Sequence, residues 1–555
     1  MGDRARALVT CFGAGFDDPQ DPDDRGSPRA RRARGSGNDQ PDAGHGLALL
    51  APGRPERTPH AEPRARTARP GPAAASRAVA AALLLAFLVV SRLLLLDAGL
   101  WNDEAFTAHF FVDRGPDAIL RGDYIPNDHV LFNLLTWHAT EALGRREFVY
   151  RLWSVIPGVL SAVAFAEWTR RRLGVAVALA FLLLVATSPL HLELTVQARG
   201  YGLGFAAMSL LLAGAAGRGP SGPPRFGLVA GAGILGTWTL PVFVLPFLGE
   251  CAFLLGRSKG RAKTLATVTA VGVASLAFYL PLLGAILASS GQDFGSRAEW
   301  TDVLAGPYRD LFSPWVDRAA TGIPLPIGAA VFWAIAGLGL VDLSRRDDRL
   351  LAGTLLAPLL VTYASLAALR LQYVPRFVSY LLLPAALLLA SGLVAAGRRA
   401  ASRLPASVHG LARILLLAAT LGIVADGARL ALDWSRTPLE TYREALALAR
   451  RTGLGDVVVN SRFSAGFEWY RGGLRLFFPD PDTLSALLCR RDLRFVFVDY
   501  PLYGRPYDAT CLEQRGLEPT VLRQRAGGQL GRMSVWTMTD EESVLDLRRE
   551  RAPGR

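Results

Sequence analysis

The stretch AVAAALLLAFLVVSRLLLLDAGLWNDEAFTAHFF (78–111) joins a long apolar run to a polar segment that carries two adjacent acids. The apolar run is long enough to cross a membrane, and a helix satisfies its own backbone hydrogen bonds in lipid. Asp103 and Glu104 follow where the chain leaves that run. What these acids can do depends on the side of the membrane that they reach, and the rest of the chain decides that side.

Apolar residues are concentrated in blocks along the 555-residue chain, which is 51% hydrophobic with a mean hydropathy of +0.25. The first block covers 77–97, and the others lie near 149–168, 173–189, 200–216, 226–240, 241–256, 264–288, 326–343, 350–369, 378–396 and 408–426. Each is about as long as a segment that spans a hydrocarbon core. The sequence therefore predicts an α-helical polytopic membrane protein of about eleven transmembrane helices.

The net charge of +13 comes largely from arginines in short connections between the blocks, which is typical of membrane orientation and not of nucleic-acid binding. The positive-inside rule places these basic connections in the cytoplasm: 169–174, 217–225, 256–263, 344–349 and 397–403. The alternate connections, predicted outside, are 98–148, 189–199, 289–325 and 370–377. We call residues 98–148 the first outer loop.

Both ends of the chain differ in character from the membrane region at 76–426. Residues 1–75 are rich in Gly, Pro, Arg and Asp and predict a disordered basic tail in the cytoplasm. An odd number of spans places 427–555 outside the plasma membrane. There the short β-rich runs at 456–460 and 494–499 alternate with helical patterns, which predicts a small α/β domain of parallel strands. Cys489 and Cys511 of this domain could form a disulfide or remain two separate thiols.

Two explanations fit the acidic pair at the start of the first outer loop. An acid in the first turn of a helix caps it and interacts well with the helix dipole. Alternatively, Asp103 and Glu104 lie at the mouth of the first span between Trp101 and Phe106. An acid in that place could orient a divalent cation or accept a proton from an acceptor hydroxyl.

Further polar residues collect in the predicted outer loops. Asp128 and His129 stand in the segment PNDHVLF (126–132), and His191 stands in SPLHLELTVQARGYGLGF (188–205). These histidines fit either ordinary packing or a polar pocket. Arg199, with Tyr201, and Arg376 are arginines on the predicted outside, against the general bias. They fit either snorkelling at the lipid interface or the binding of a phosphate.

The order of these motifs resembles that of the GT-C superfamily of polyprenyl-phosphate-sugar glycosyltransferases. It is most similar to the family 39 protein mannosyltransferase and aminoarabinose transferase-like group. The resemblance runs from about 77 to 426 through WNDEAF, PNDHVLFNLLTWH, SPLHLELTVQARGYGL and VPRFVSYLLLP. It implies an enzyme that moves a mannose- or arabinose-like sugar from a polyprenyl-phosphate donor to an extracytoplasmic glycan, lipid or protein, with no nucleotide cofactor.

The same resemblance implies roles for particular residues. Asp103, with Glu104 beside it, would activate the acceptor directly or through a divalent metal, for which Asp103, Glu104 and His129 are the candidate ligands. Arg199, Tyr201 and Arg376 would bind the donor phosphate.

The resemblance also implies a second polar cluster at Asp128 and His129. With His191, these residues are the candidates for an acceptor site or a second polar cluster. The chain departs from the family pattern at Val196-Gln197-Ala198-Arg199, which lacks the usual Glu, and at Asn127-Asp128-His129-Val130, which lacks the usual first Pro.

Two alternatives to an enzyme stay open at this stage. A non-catalytic lipid or solute transporter fits the many spans, although its polar residues and broken helices should lie near the middle of the membrane. A glycan-binding membrane protein fits the aromatic residues of the C-terminal region, among them Trp469, Tyr470, Tyr500, Tyr503 and Tyr507.

Overall fold

The computed structural model describes residues 72–538, apart from 122–127, 218, 220–221, 258–259, 290–295, 314–322, 347, 437–440, 462–464, 491–494, 501–506, 508–509, 515–516 and 525–530. The first helix, α1 (Pro72–Leu93), begins inside the tail that was predicted at 1–75. The rest of that predicted tail lies outside the described residues.

Helices account for most of the described chain. After α1 come α2 (Asn102–Phe106), α3 (Pro116–Arg121), α4 (Val130–Leu143), α5 (Glu147–Leu173), α6 (Val175–Ala186), α7 (Pro189–Val196), α8 (Tyr201–Ala215), α9 (Phe226–Thr239), α10 (Val244–Gly256), α11 (Arg261–Tyr279), α12 (Leu283–Ser289), α13 (Thr301–Leu311), α14 (Leu325–Arg345), α15 (Arg349–Ala368), α16 (Leu382–Arg403) and α17 (Ala406–Arg436). Most predicted apolar blocks coincide with one of these helices, whereas the blocks at 173–189 and 264–288 each cover two, α6–α7 and α11–α12.

Among the described residues, six helical segments are long and apolar enough to cross a membrane, and the bent pair α6–α7 would make a seventh. Helices α8, α9 and α10 are apolar but shorter. The chain is therefore a multi-pass membrane protein, and the count of eleven spans stays a prediction.

Close helix contacts depend on glycine, as is common where helices pack within a membrane. A methyl group on Gly202 of α8 would lie 1.8 Å from the backbone oxygen of Ser154 on α5. A methyl group on Gly158 of α5 would lie 2.5 Å from the side chain of Thr195 on α7. Because α5 packs tightly on both α7 and α8, it fixes the segment between them, and that segment carries Arg199.

Helices α6 and α7 bend by 62° where they meet. Pro189 begins α7, and the Ser188 hydroxyl accepts a hydrogen bond from the backbone N–H of His191 at 3.3 Å. The carbonyl of Ala186, at the end of α6, accepts from Nη1 of the buried Arg92 at 3.0 Å. The bend is therefore stabilised by a cap on one helix and by an arginine on the other.

The first outer loop folds into short helices. Helix α2 continues into a π-helix at Thr107–Val112, which is a form found mostly in short stretches and often near functional sites. Helix α4 forms where apolar residues recur at helical spacing. The predicted outer loops at 289–325 and 370–377 are joined by two short antiparallel strands, β1 (Ser296–Arg297) and β2 (Gln372–Tyr373).

The C-terminal region contains a mixed sheet. Its strands are β3 (Asp456–Asn460), β4 (Arg475–Phe477), β5 (Val496–Asp499), β6 (Leu517–Gln524) and β7 (Gly531–Met538), in the order β4-β3-β5-β7-β6, and its helices are α18 (Tyr442–Arg451), α19 (Ala465–Tyr470), α20 (Pro481–Cys489) and α21 (Thr510–Gln514). Strands β3, β4 and β5 are parallel, as predicted, whereas β7 pairs antiparallel with both β5 and β6. The prediction of parallel strands alone was wrong because the last two strands form an antiparallel pair.

The C-terminal region packs on the first outer loop. The Tyr470 hydroxyl accepts from the backbone N–H of Leu100 at 2.7 Å, and the rings of Trp469 and Tyr150 meet edge to face at 5.6 Å. Arg443 donates to the carbonyl of Asp97 at 3.1 Å. Two of the aromatic residues that could have stacked on glycans therefore contact the membrane region instead.

Cys489 and Cys511 form a disulfide between α20 and α21. Of the two alternatives that the sequence left open, the structure therefore shows the pair. Disulfides persist mainly outside the reducing cytoplasm, which agrees with the predicted location of this region.

The location of the C-terminal region can be tested by cysteine labelling. In cells, a Cys489→Ser variant leaves Cys511 without its partner, and we expect a membrane-impermeant maleimide to label Cys511 without permeabilisation. Cys11, in the predicted cytoplasmic tail, is the internal control and should react only after permeabilisation. Labelling of Cys511 only in permeabilised cells would contradict the predicted orientation.

Candidate active site

Asp103 lies in the first turn of α2, and its side chain is 12% exposed. Its Oδ2 atom lies 3.0 Å from Nη1 of Arg199 and 3.0 Å from Nη2 of Arg376. The three residues come from α2, from the segment between α7 and α8, and from a 3₁₀ helix at Pro375–Leu381. The structure thus brings together the acid and both arginines that the sequence singled out.

Arg199 is completely buried. Its Nε donates to Nε2 of His129 at 3.1 Å, and its Nη2 also lies 3.0 Å from that nitrogen. The guanidinium carbon lies 5.8 Å from the ring centre of Tyr201, and this ring meets that of His129 edge to face at 5.2 Å. Tyr201 and His129 therefore fix the plane of the guanidinium group, which directs Nη1 at Asp103.

The hydrogen bonds of His129 define its tautomer. Its Nδ1 lies 3.2 Å from the backbone oxygen of Thr239, so Nδ1 carries the proton and Nε2 accepts from Arg199. Burial, and next the positive charge of Arg199, lower the pKa of His129 well below its usual range. His129 is therefore a neutral hydrogen-bond acceptor at physiological pH.

Asp128 is buried beside this pair. Its Oδ1 accepts from the Asn133 amide at 2.5 Å, and its buried Oδ2 has no hydrogen-bond partner among the described residues. Burial raises the pKa of Asp128 to about 8, against the opposing effects of Arg199 and Asn133. At neutral pH Asp128 is mainly protonated, and it supplies little negative charge to the site.

Glu104 points away from Asp103 and is 1% exposed. Both of its oxygens accept from Arg151, at 3.0 Å and 2.8 Å, and Oε1 also accepts from the backbone N–H of Ala198. Arg151 in turn donates to backbone carbonyls of the turn at 95–99. Glu104 and Arg151 thus tie the end of the first span to the segment that carries Arg199.

Arg376 is the more accessible of the two arginines, with 24% of its side chain exposed. Its guanidinium carbon lies 5.6 Å from the ring centre of Trp101 and 6.0 Å from that of Phe377. Aromatic faces stabilise a guanidinium group without neutralising its charge. Arg376 therefore keeps a full positive charge at the edge of the site.

His191 contacts a different cation. Its Nδ1 lies 2.8 Å from Nη2 of Arg92, and both side chains are completely buried near the α6–α7 bend. It lies in the first turn of α7, and Arg199 follows the end of that helix. One face of His191 also meets the ring of Phe205 at 4.7 Å. These contacts give His191 a part in the bend, whereas Asp128 and His129 lie beside Arg199.

An ionic network that was not predicted from the sequence includes β2, the strand just before Arg376. Arg309 of α13 donates to Asp310 at 2.7 Å and also to Asp302, and Asp310 accepts from the Tyr373 and Tyr363 hydroxyls at 3.1 Å each. Burial, and next the Asp310 carboxylate, raise the pKa of Tyr373 above its usual range. Tyr373 belongs to β2, so the network anchors the strand that precedes Arg376.

The candidate metal ligands do not fit a metal ion as they are arranged. The oxygen of Asp103 faces two guanidinium groups, Nε2 of His129 accepts from Arg199, and both oxygens of Glu104 accept from Arg151. A cation placed among them would be repelled by the arginines. Within the described part of the chain, no group of three or more His, Cys, Asp or Glu side chains could hold a metal.

No family model and no curated protein matches the sequence, but solved structures do. The crystal structure of ArnT from Cupriavidus metallidurans bound to undecaprenyl phosphate matches with a TM-score of 0.52 at 16% identity, covering 84% of this chain and 98% of that chain. The apo state of ArnT gives a TM-score of 0.51 with the same identity and coverage.

Arabinofuranosyltransferase AftD from Mycobacteria matches at a TM-score of 0.41 and 16% identity, covering 84% of this chain and 40% of that chain. The match to ArnT shows that this chain has the same fold as ArnT, which confirms the fold that the resemblance in the sequence implied.

The buried ion pair between Glu104 and Arg151, which we call the clamp, predicts an effect on stability. Replacing one partner of a buried ion pair costs about 3–5 kcal/mol, whereas an exposed pair contributes about 0–1 kcal/mol. We expect Glu104→Ala to lower the melting temperature in detergent far more than Asp117→Ala, whose carboxylate forms an exposed pair with Arg121. Similar melting temperatures for the two variants would show that the clamp is not structural.

The raised pKa of Asp128 predicts how the stability of the folded chain depends on pH. Between about pH 4 and pH 8 the folded chain keeps a proton that the unfolded chain has lost, so stability falls as pH rises. Asparagine cannot ionise, so Asp128→Asn should melt higher than wild type in detergent. The difference in the free energy of unfolding between the variant and wild type should increase toward pH 8, by at most about 1.4 kcal/mol per pH unit. A stability difference between Asp128→Asn and wild type that does not change with pH would contradict the raised pKa.

Proposed function

We propose that this protein is a membrane glycosyltransferase that moves a mannose- or arabinose-like sugar from a polyprenyl-phosphate donor to an extracytoplasmic glycan, lipid or protein. The observation that carries the proposal is the convergence of Arg199 and Arg376 on one oxygen of Asp103. Two cations and one acid are the groups that such a transfer needs at one place. The fold shared with ArnT, whose structure holds undecaprenyl phosphate, supports a polyprenyl-phosphate donor.

In the proposed reaction, Arg199 and Arg376 bind the donor phosphate. The bond between the sugar carbon C1 and the phosphate oxygen breaks, and its electron pair stays on the polyprenyl phosphate. The acceptor oxygen forms a new bond to C1, and its proton passes to the Asp103 carboxylate. The phosphate gains negative charge as it leaves, so fixed guanidinium groups stabilise the transition state more than the ground state.

The neighbouring residues then have supporting roles. His129 and Tyr201 hold the guanidinium of Arg199 in one orientation, and Glu104 positions α2 through its clamp with Arg151. Glu104 is therefore proposed as a positioning residue and not as the second catalytic acid that the sequence suggested. Asp128 remains a proposed acceptor contact, because its buried Oδ2 atom can still form a hydrogen bond.

The transporter alternative draws on two features inside the membrane region. One is the bend between α6 and α7 beside Arg92, and the other is the buried Glu250 of α10, which accepts from Thr354 at 3.2 Å. Arg92 caps the Ala186 carbonyl, and Thr354 joins α10 to α15, so each has a role in helix packing. At the cluster around Asp103, by contrast, two guanidinium groups share one carboxylate and leave a net positive charge that suits an anionic donor, which favours the enzyme.

A transfer assay tests the proposal. The protein purified in detergent would be given polyprenyl-phosphate mannose, and separately polyprenyl-phosphate arabinose, with a labelled sugar. We expect wild type to release label from one of these lipids and Asp103→Asn to lower kcat by about 10²–10⁴-fold. Arg376→Gln should raise KM for the donor, and Asp117→Asn, which removes an exposed charge from the same loop, should match wild type.

Two outcomes would count against the proposal. Equal turnover by wild type and Asp103→Asn would show that Asp103 is not the base and would leave helix capping as its role. Binding of the lipid without turnover by any form of the protein would favour the transporter or the glycan-binding alternative.

A further inference from the structure

Asp103 occupies the place where the donor phosphate is proposed to bind. Its Oδ2 lies 3.0 Å from a terminal nitrogen of each arginine, and these nitrogens are the ones a phosphate oxygen would approach. While two guanidinium groups engage Oδ2, that oxygen cannot accept a proton from an acceptor hydroxyl. Phosphate binding and the role of Asp103 as a base therefore compete for the same contacts.

The arginines are held more firmly than the acid. Arg199 is completely buried and contacts His129 through Nε and Nη2, and Arg376 contacts the aromatic rings of Trp101 and Phe377. Asp103 belongs to a helix of five residues that continues directly into a π-helix. A change of the Asp103 side-chain rotamer therefore requires less rearrangement than a movement of either arginine.

We infer that Asp103 is an exchangeable counter-ion, which the donor phosphate displaces from Arg199 and Arg376 and which only then becomes the base. The inference rests on the proposed function and adds an order of events to it. The donor binds first, because it frees the carboxylate that must take the proton of the acceptor. Without the donor the carboxylate stays paired, and the acceptor is not activated.

The charges of the cycle balance. Two guanidinium groups and one carboxylate leave one positive charge, which suits a phosphodiester carrying one negative charge. Transfer breaks the C1–O bond, gives the polyprenyl phosphate its second negative charge and places the acceptor proton on Asp103. When Asp103 loses that proton to water, it again competes for the arginines and promotes release of the product.

Binding of undecaprenyl phosphate, the product-like lipid, tests the inference. We expect Asp103→Asn to bind it about tenfold more tightly than wild type in detergent, because the competing charge is removed. The variant should at the same time fail to transfer sugar. Asp117→Asn, with the same change of charge in the same loop, should bind like wild type, and Arg199→Gln should bind more weakly than wild type.

A second measurement uses wild type alone and does not depend on the folding of a variant. On addition of undecaprenyl phosphate, hydrogen–deuterium exchange should increase at 101–106, where Asp103 is released. It should decrease at 198–202, where Arg199 is engaged. Protection of both segments would overturn the inference.

The remaining outcomes separate the inference from the proposed function. Unchanged or weaker binding by Asp103→Asn, with transfer by wild type, would overturn the displacement and leave the enzyme intact. If wild type neither binds undecaprenyl phosphate nor transfers sugar, the proposed function itself fails.

Discussion

The arrangement of the site depends on the burial of arginine side chains at the helix ends next to the first outer loop. A guanidinium group removed from water must be surrounded by acceptors, because an unpaired buried charge is strongly destabilising. Arg92 meets this need at the α6–α7 bend, Arg151 at the turn after the first span, and Arg199 beside α2. Each arginine joins segments far apart in the sequence. Their contacts therefore determine where the first outer loop lies on the membrane helices.

The two adjacent acids of WNDEAF have different partners because of helix geometry. Neighbouring residues of a helix point about 100° apart, so Asp103 and Glu104 cannot serve one group together. Glu104 turns inward to Arg151, and Asp103 turns toward Arg199 and Arg376. One acid holds the helix in place while the other remains at the surface of the site. The adjacent pair thus consists of an anchor, Glu104, and the proposed base, Asp103.

Much of the fold could be predicted from the sequence, because apolar blocks and helical spacing are local signals. The grouping of Asp103, Arg199 and Arg376 on one side also followed, from motif order and orientation. The sequence did not predict which residues pair with the buried charges, because Arg151 and Glu104 meet only when α5 packs against the first outer loop. The contact between His191 and Arg92 did not follow either, for the same reason. Arginines on the predicted outside within apolar blocks, such as Arg92 and Arg151, were the available signal.

The charge of its partner decides what a buried arginine can do. Glu104 neutralises Arg151 fully, and the remaining N–H groups of Arg151 donate to backbone carbonyls, so nothing is left to attract a ligand. Arg199 instead has the neutral His129 on one edge, which satisfies hydrogen bonds without cancelling charge. Its guanidinium group contacts the Asp103 carboxylate, which it shares with Arg376. The pair of arginines therefore retains the excess positive charge that the proposed phosphate site needs, and a carboxylate in place of His129 would remove it.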